Sequence, residues 1–332
     1  MRGIRITGTG MYVPGTVMSN DWISTILDTD DEWIYSRTGI RERRISVDKP
    51  NYYMACEAAK DALRDSGTDP SEIDLVLAAT CSPDYFYPAL SCIIQHETGT
   101  VNAAAFDINS ACTGFINALD TASRFLEDSD YRNILVVASE RLAPHCDFTD
   151  RTSCILFGDG AGAAVVTKSD KPMWSYLSAK GDFFGALYCK VDHSRSNCPM
   201  LKEDTLPEGL IDTESKTHTL QMNGKAVYKF AVEAMQTAVN KVLERSGLSL
   251  DDIDIYIPHQ ANSRIIEAAV KSLGLDTDKV YVNLEKRGNT SSACIPTCLA
   301  ELKAAGRIKP GTKICLVGFG AGLTSGAIIF EQ

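Results

Sequence analysis

The chain has 332 residues, enough for two domains or one large pseudo-symmetric one at about 100–200 residues per domain. Hydrophobic residues make up 44% and charged residues 23%, a globular balance that excludes disordered and fibrous classes and supplies ample core. The 33 basic and 43 acidic residues give a net charge of −10, which argues against nucleic acid as a partner and against adhesion to anionic membranes.

In chain order, the opening MRGIRITGTGMYVPG reads as a strand and turn. It lacks the apolar stretch of a signal peptide, and no run of 18 apolar residues follows to span a bilayer. DALRDSGTDPSEIDLVLAAT (61–80) reads as a helix, a Gly stop, a polar turn and a short buried strand. In AAAFDINSACTGFINALDTASRFL (103–126) the pattern changes at Cys112. An apolar strand precedes it, and Phe115, Ile116, Leu119, Ala122 and Phe125 follow at helical spacing. Cys112 therefore lies where a strand feeds a helix, facing free backbone N–H groups and the positive end of the helix dipole. That setting is expected to lower the thiol pKa and favour thiolate. Taken alone, such a segment is more often a place for a buried cysteine at a tight strand–helix junction.

NILVVAS (133–139) is a buried strand followed by GDGAGAAVV (158–166). The polar, turn-rich stretch 181–216 reads as a loop insertion. After it, KVLERSGLSLDDIDIYIPHQ (241–260) repeats the helix–Gly–turn–strand order and ends at His259. Strand C-terminal ends are where α/β folds place ligands, although a lone His there is more often a satisfied structural residue. LEKRGNTSSACIPTCLAEL (284–302) is a loop then a helix, with Asn289 just ahead of the helix, a position that also suits a turn or cap. KICLVGF (313–319) and GAGLTSGAII (320–329) close the chain.

A shift of 180 residues lays 61–80 on 241–260 and NILVVAS on KICLVGF, and pairs Leu63 with Leu243, Gly67 with Gly247 and Asp74 with Asp254. Duplication follows: a first half over 1–170, a connecting and insertion region over 171–216 and a second half over 217–332. The same shift puts Cys112 over Ser292. If the halves share a pseudo-two-fold axis, both helix starts approach it, and Cys112, His259 and Asn289 point to one locus.

The eleven cysteines are odd in number and form no CxxC pair, so a disulfide framework is not expected and a reducing cytoplasm is the default. Cys294 and Cys298 lack a matching Cys/His pair, and His145–Cys146 stands alone, so no metal is expected. Most of the cysteines should be small buried hydrophobes.

DINSACTGF, IPHQAN and GNTSSACIP resemble the Cys, His and Asn motifs of β-ketoacyl-acyl carrier protein synthase III, a condensing enzyme of the thiolase superfamily. DTDDEWIYSRTGIRERR (28–44), FGDGAGAAVV (157–166), GRIKPG (306–311) and GFGAGLTSGA (318–327) resemble its other signatures, in order, over the whole chain except 181–216. The resemblance implies a five-layered αβαβα sandwich of two halves, usually a homodimer. It implies decarboxylative condensation of an acyl-CoA primer with malonyl-acyl carrier protein, starting fatty acid synthesis, with no cofactor beyond the substrates. Residue by residue, it implies Cys112 as the acylated nucleophile and His259 and Asn289 as donors to the malonyl thioester oxygen. The oxyanion hole would come from the backbone N–H groups of Cys112 and Ala321, the latter where Gly is more usual. Trp33, Arg37 and Arg151 match the CoA site. Lys229, Arg264 and Lys271 match the carrier-protein patch, and Tyr87 matches a pocket-capping position that is commonly Phe, supplied across the dimer. A starter synthase of a polyketide or other specialised pathway, or an acyltransferase without condensation, is the alternative. The primer is left open.

Overall fold

The structure, a computed structural model, describes residues 2–181, 185–190 and 219–332. The first half opens with β1 (Ile4–Tyr12), β2 (Thr16–Ser19), α1 (Asn20–Ser24), α2 (Asp31–Thr38) and β3 (Glu42–Ile45). It continues through α3 (Asn51–Ser66), β4 (Leu75–Ala79), α4 (Leu90–Thr98), β5 (Ala104–Ile108), α5 (Gly114–Phe125), β6 (Asn133–Glu140) and β7 (Gly160–Lys168). Next come β8 (Trp174–Ala179), β9 (Leu187–Cys189) and β10 (Leu220–Met222). The second half runs through α6 (Gly224–Ser246), β11 (Ile255–Pro258), α7 (Ser263–Leu273), α8 (Leu284–Arg287), α9 (Cys294–Ala304), β12 (Lys313–Gly320) and β13 (Thr324–Glu331).

One sheet has the order β1-β7-β6-β4-β5 and the other β11-β12-β13-β8. Read from β8, the second repeats the first without a counterpart of β5, and a single parallel bridge between Tyr256 and Val280 stands at that edge. β4 runs parallel to both β5 and β6, β11 runs parallel to β12, and the remaining pairs of both sheets are antiparallel. β8 lies within the stretch read from sequence as connection, yet it is the edge strand of the second sheet. Its alternating WSYLSA gave no cue to its partner, because β13 lies far along the chain.

The near-continuous apolar runs of β4 and β6 follow from burial on both faces. Leu75, Leu77, Ile134 and Val136 point to the central layer, where α5 and α9 pack between the sheets. Their neighbours Val76, Ala78, Leu135 and Val137 point outward to α3 and α4. The second sheet does the same: Ile255, Ile314 and Leu316 face the centre, while Tyr256, Cys315 and Val317 meet α6 and α7. The result is a thiolase-like αβαβα sandwich. Each fully buried aliphatic side chain contributes about 1.5–3 kcal/mol of burial, so the two-sided cores dominate the fold energetics.

The halves match bond for bond in places. α3 ends at Gly67 (φ 67°) and α6 at Gly247 (φ 70°), both left-handed C-caps that glycine adopts without steric cost. Asp74 accepts from the Asn133 N–H at 3.0 Å, and Asp254 accepts from the Lys313 N–H at 2.8 Å. The ten described cysteines are all free and seven are buried. Among the described residues no helix is long and apolar enough to cross a membrane, and no group of three or more His, Cys, Asp or Glu is placed to hold a metal ion.

Candidate active site

The strand-to-helix junction expected at Cys112 is present. After β5 the chain makes a 3-10 turn, Ala111–Thr113, and enters α5. Ala111 sits at φ 44°, a left-handed conformation that costs a non-glycine residue about 1–2 kcal/mol. One repeat later the turn Ser291–Ala293 enters α9, and Ser291 sits at φ 50°. The two strained turns meet. A Cβ added to Gly114 would lie 2.9 Å from the Ala79 Cβ and 3.3 Å from the Ser292 Cβ, so glycine lets the start of α5 sit this close to β4 and to the second turn. The Ser291 hydroxyl donates to the Cys112 sulfur at 3.3 Å.

Cys112 is 8% exposed, and burial pushes its thiol up to about 12. The Ser291 hydrogen bond and a backbone N–H pull the other way, and the buried Glu140 carboxylate pushes up further. The expected lowering by the helix terminus is thus overturned: removal of water from the sulfur outweighs the helix-start donors, and the resting group is a thiol. Glu140 ends β6, fully buried, and accepts from the Ser82 and Ser292 hydroxyls at 2.6 Å each and from the Cys81 N–H at 3.1 Å. Burial raises its pKa against these donors.

His259 directly follows β11 and is 1% exposed. Its Nδ1 lies 3.0 Å from Cys294 Sγ, and its ring meets Phe319 edge-on with centroids 5.3 Å apart. Its Nε2 is buried with no hydrogen-bond partner among the described residues. Burial lowers the ring to about 3, so the imidazole is neutral near neutral pH. Asn289 is held by its backbone: its N–H donates to Leu156 O at 2.9 Å, and its carbonyl accepts from the Gly158 N–H at 3.0 Å. Its Oδ1 accepts from the Ser291 N–H at 2.9 Å, which fixes the amide orientation and leaves Nδ2 as the free donor.

Cys112, His259 and Asn289 line one cavity of about 110 Å³, with Phe157, Phe319 and Gly320 among its walls. Leu187 of β9, Met222 of β10 and Tyr228 and Phe230 of α6 line it further. Gly320 is needed there, because a Cβ on it would lie 2.9 Å from the Cys112 nitrogen. The wall is largely apolar, and the polar groups that converge on it are a thiol, a neutral imidazole and a carboxamide. Such a set can form a thioester and donate hydrogen bonds to a carbonyl oxygen in a low-dielectric site.

The model of 3-oxoacyl-(acyl-carrier-protein) synthase III matches residues 106–182, and that of the synthase III C terminal matches residues 243–332. A beta-ketoacyl-(acyl-carrier-protein) synthase III of Clostridium acetobutylicum is 44% identical over 100% of this chain and 99% of its own length. The chain belongs to the 3-oxoacyl-(acyl-carrier-protein) synthase III family. It is an acyltransferase of that condensing class. Among solved structures, the synthase III of Aquifex aeolicus superposes with a TM-score of 0.89 at 38% identity, covering 99% of this chain and 100% of that one. The priming β-ketosynthase of the R1128 polyketide pathway superposes with a TM-score of 0.89 at 37% identity, covering 100% and 97%.

In this member of the synthase III family the residues expected around the Cys, His and Asn positions do not all share one place. The Arg37 and Arg151 guanidinium carbons lie 4.7 and 4.8 Å from the Trp33 ring, so these three are together. Arg264 on α7 donates from Nε to Ser36 O at 3.1 Å, which puts it beside that cluster, while Lys229 on α6 and Lys271 on α7 are exposed. Tyr87 is 88% exposed, follows the 80% exposed Phe86, and does not line the Cys112 cavity within this one chain. Ala321 follows Gly320 in the turn after β12. Most of the 181–216 insertion lies outside the described residues. Ser291, Glu140 and the roles of Phe319 and Cys294 escaped sequence reasoning. The one available signal for Ser291 was the 180-residue shift, which lays it on Ala111, next to Cys112.

Proposed function

We propose that the chain condenses an acyl-CoA primer with malonyl-acyl carrier protein, with loss of carbon dioxide, to give a 3-oxoacyl-acyl carrier protein that starts fatty acid synthesis. The observation that carries this is the convergence of the Cys112 thiol, the unpartnered His259 Nε2 and Asn289 on one apolar cavity. Cys112 attacks the acyl-CoA carbonyl, the C–S bond to CoA breaks, and the thiol proton ends on the departing CoA sulfur. The Cys112 and Ala321 N–H groups hold the tetrahedral oxyanion. Malonyl-acyl carrier protein then binds, and its carboxylate leaves as carbon dioxide. The electron pair moves onto the thioester oxygen, which accepts from His259 Nε2 and Asn289 Nδ2. The enolate carbon attacks the acyl-Cys carbonyl and expels the Cys112 sulfur. A neutral His suits this role, because the enolate needs fixed donors rather than a base, and each such donor accounts for about 10²–10³ in rate.

Trp33, Arg37 and Arg151 bind the CoA adenine and phosphates, where an indole face and planar guanidinium groups suit stacking and phosphate pairing. Lys229, Arg264 and Lys271 form the local positive patch that an acidic carrier protein needs on a −10 chain. The exposed Phe86 and Tyr87 support a homodimer in which Tyr87 caps the partner's primer pocket, and the cytoplasm is where this chain would work. The substrates supply all the chemistry, with no further cofactor.

Intact-protein mass spectrometry after incubation with a panel of acyl-CoAs, followed by peptide mapping, tests the reading. The expected result is one acyl adduct on Cys112, absent from Cys112→Ser. An undiminished adduct in Cys112→Ser would remove the nucleophile assignment.

A further inference from the structure

His259 offers its free Nε2 to the cavity, but a neutral imidazole carries one proton, and only the tautomer with that proton on Nε2 can donate there. The choice is made at the other nitrogen. There the hydrogen-bond partner among the described residues is Cys294, whose Sγ is 3.0 Å from Nδ1. The same sulfur accepts from the Gln260 N–H at 3.4 Å. A thiol that already accepts a backbone N–H has its S–H left to give, and Nδ1 is the nearby acceptor. We infer that the Cys294 thiol donates to His259 Nδ1 and so holds the imidazole in the tautomer that presents N–H at Nε2. Cys294 is therefore a positioning residue for the decarboxylation step, and this inference rests on the role proposed for His259.

Two further observations agree. Cys294 opens α9 at 1% exposure, and burial pushes its thiol well above the usual cysteine range, so the sulfur keeps its proton. The reverse arrangement, Nδ1–H donating to the thiol, would ask a weak sulfur acceptor to take a second N–H beside that of Gln260 and would leave Nε2 without a proton. The position 180 residues earlier is Gly114, which has no side chain, so the thiol is present only in the half that carries the His.

The test has two arms. The first is nitrogen-15 NMR of the protein labelled at histidine, with the His259 signals assigned by their loss in His259→Ala. The wild type should show an unprotonated Nδ1 and a protonated Nε2. Cys294→Ala should show a mixture of tautomers, and Cys294→Ser should restore the wild-type pattern, because a hydroxyl donates as a thiol does. The second arm measures malonyl-acyl carrier protein decarboxylation beside Cys112 acylation by acyl-CoA. Cys294→Ala should lose about ten- to a hundredfold in decarboxylation, the effect of one hydrogen bond. Its acylation should keep the wild-type rate, and Cys294→Ser should regain decarboxylation. A protonated Nδ1 in the wild type would overturn the inference, as would a Cys294→Ala protein with a pure Nε2–H ring and full decarboxylation. If the wild type decarboxylated no malonyl thioester, the functional reading would fail, and the wild-type spectrum would still decide the tautomer.

Discussion

The Cys112 sulfur is pulled toward thiolate by the Ser291 hydroxyl and a backbone N–H, and toward thiol by burial, which prevails. The helix start was legible in the sequence; the dryness was not, because it comes from Phe157 and the Phe319–Gly320 pair, far along the chain from Cys112 and beside it only in the fold. The same dryness acts on His259 and gives a pH signature. Its pKa is lowered in the folded state to about 3 from the ordinary 6.5, so below pH 6.5 the unfolded chain takes up a proton that the folded chain refuses. The stability from this group is present above pH 6.5 and is lost as pH falls toward 3. Between pH 6.5 and 4.5, wild type should lose about 2 kcal/mol more than His259→Gln, measured by urea denaturation. Equal losses would mean that the ring is hydrated. In the proposed chemistry His259→Ala and Asn289→Ala should keep Cys112 acylation and lose at least about a hundredfold in malonyl decarboxylation, read as carbon dioxide release. A parallel loss of acylation would make them parts of the nucleophile's machinery instead.

At the scale of elements, the site exists because two strand-to-helix turns with left-handed residues, Ala111 and Ser291, are pressed together under the ends of β6 and β12. The duplicated order of helix, Gly stop and strand could be read from sequence, since period and punctuation survive divergence. β8 as an edge strand, and the lack of a β5 counterpart in the second sheet, could not, because strand partnership is a long-range choice. Close packing here gives a sharp expectation. Gly320→Ala would set a methyl 2.9 Å from the Cys112 nitrogen and 3.2 Å from its Cβ, with backbone that cannot yield on one side. It should destabilise the fold by about 1–3 kcal/mol and slow acylation by acyl-CoA more than tenfold. Unchanged acylation kinetics would show that the nucleophile loop gives way freely.

For the whole molecule, charge is the informative property. A net −10 repels an acidic partner at long range, so the proposed carrier-protein docking calls on local cations such as Lys229 of α6 and Lys271 of α7, both exposed. Lys271→Glu should raise the KM for malonyl-acyl carrier protein about tenfold at low salt, leave the KM for acyl-CoA unchanged, and lose most of its effect at high ionic strength. A rise that ignores salt would point to altered folding of α7. The family signatures were legible here because they sit at element ends, where backbone geometry restricts the residue. The proposed docking patch rests on resemblance alone, since a solvated lysine face has no sequence mark of its own.

The main-chain clasp at Asn289 has one more consequence. Its peptide groups bond to Leu156 and Gly158, in the loop before β7, so a residue of the second half is anchored in the first. Catalytic competence thereby becomes an assay of union between the halves. If the backbone were cut in the connection and the two fragments were produced apart, one would carry the proposed nucleophile and the other the proposed donors, and on that reading each is inert in condensation. Recovered turnover on mixing would then report that the clasp had closed.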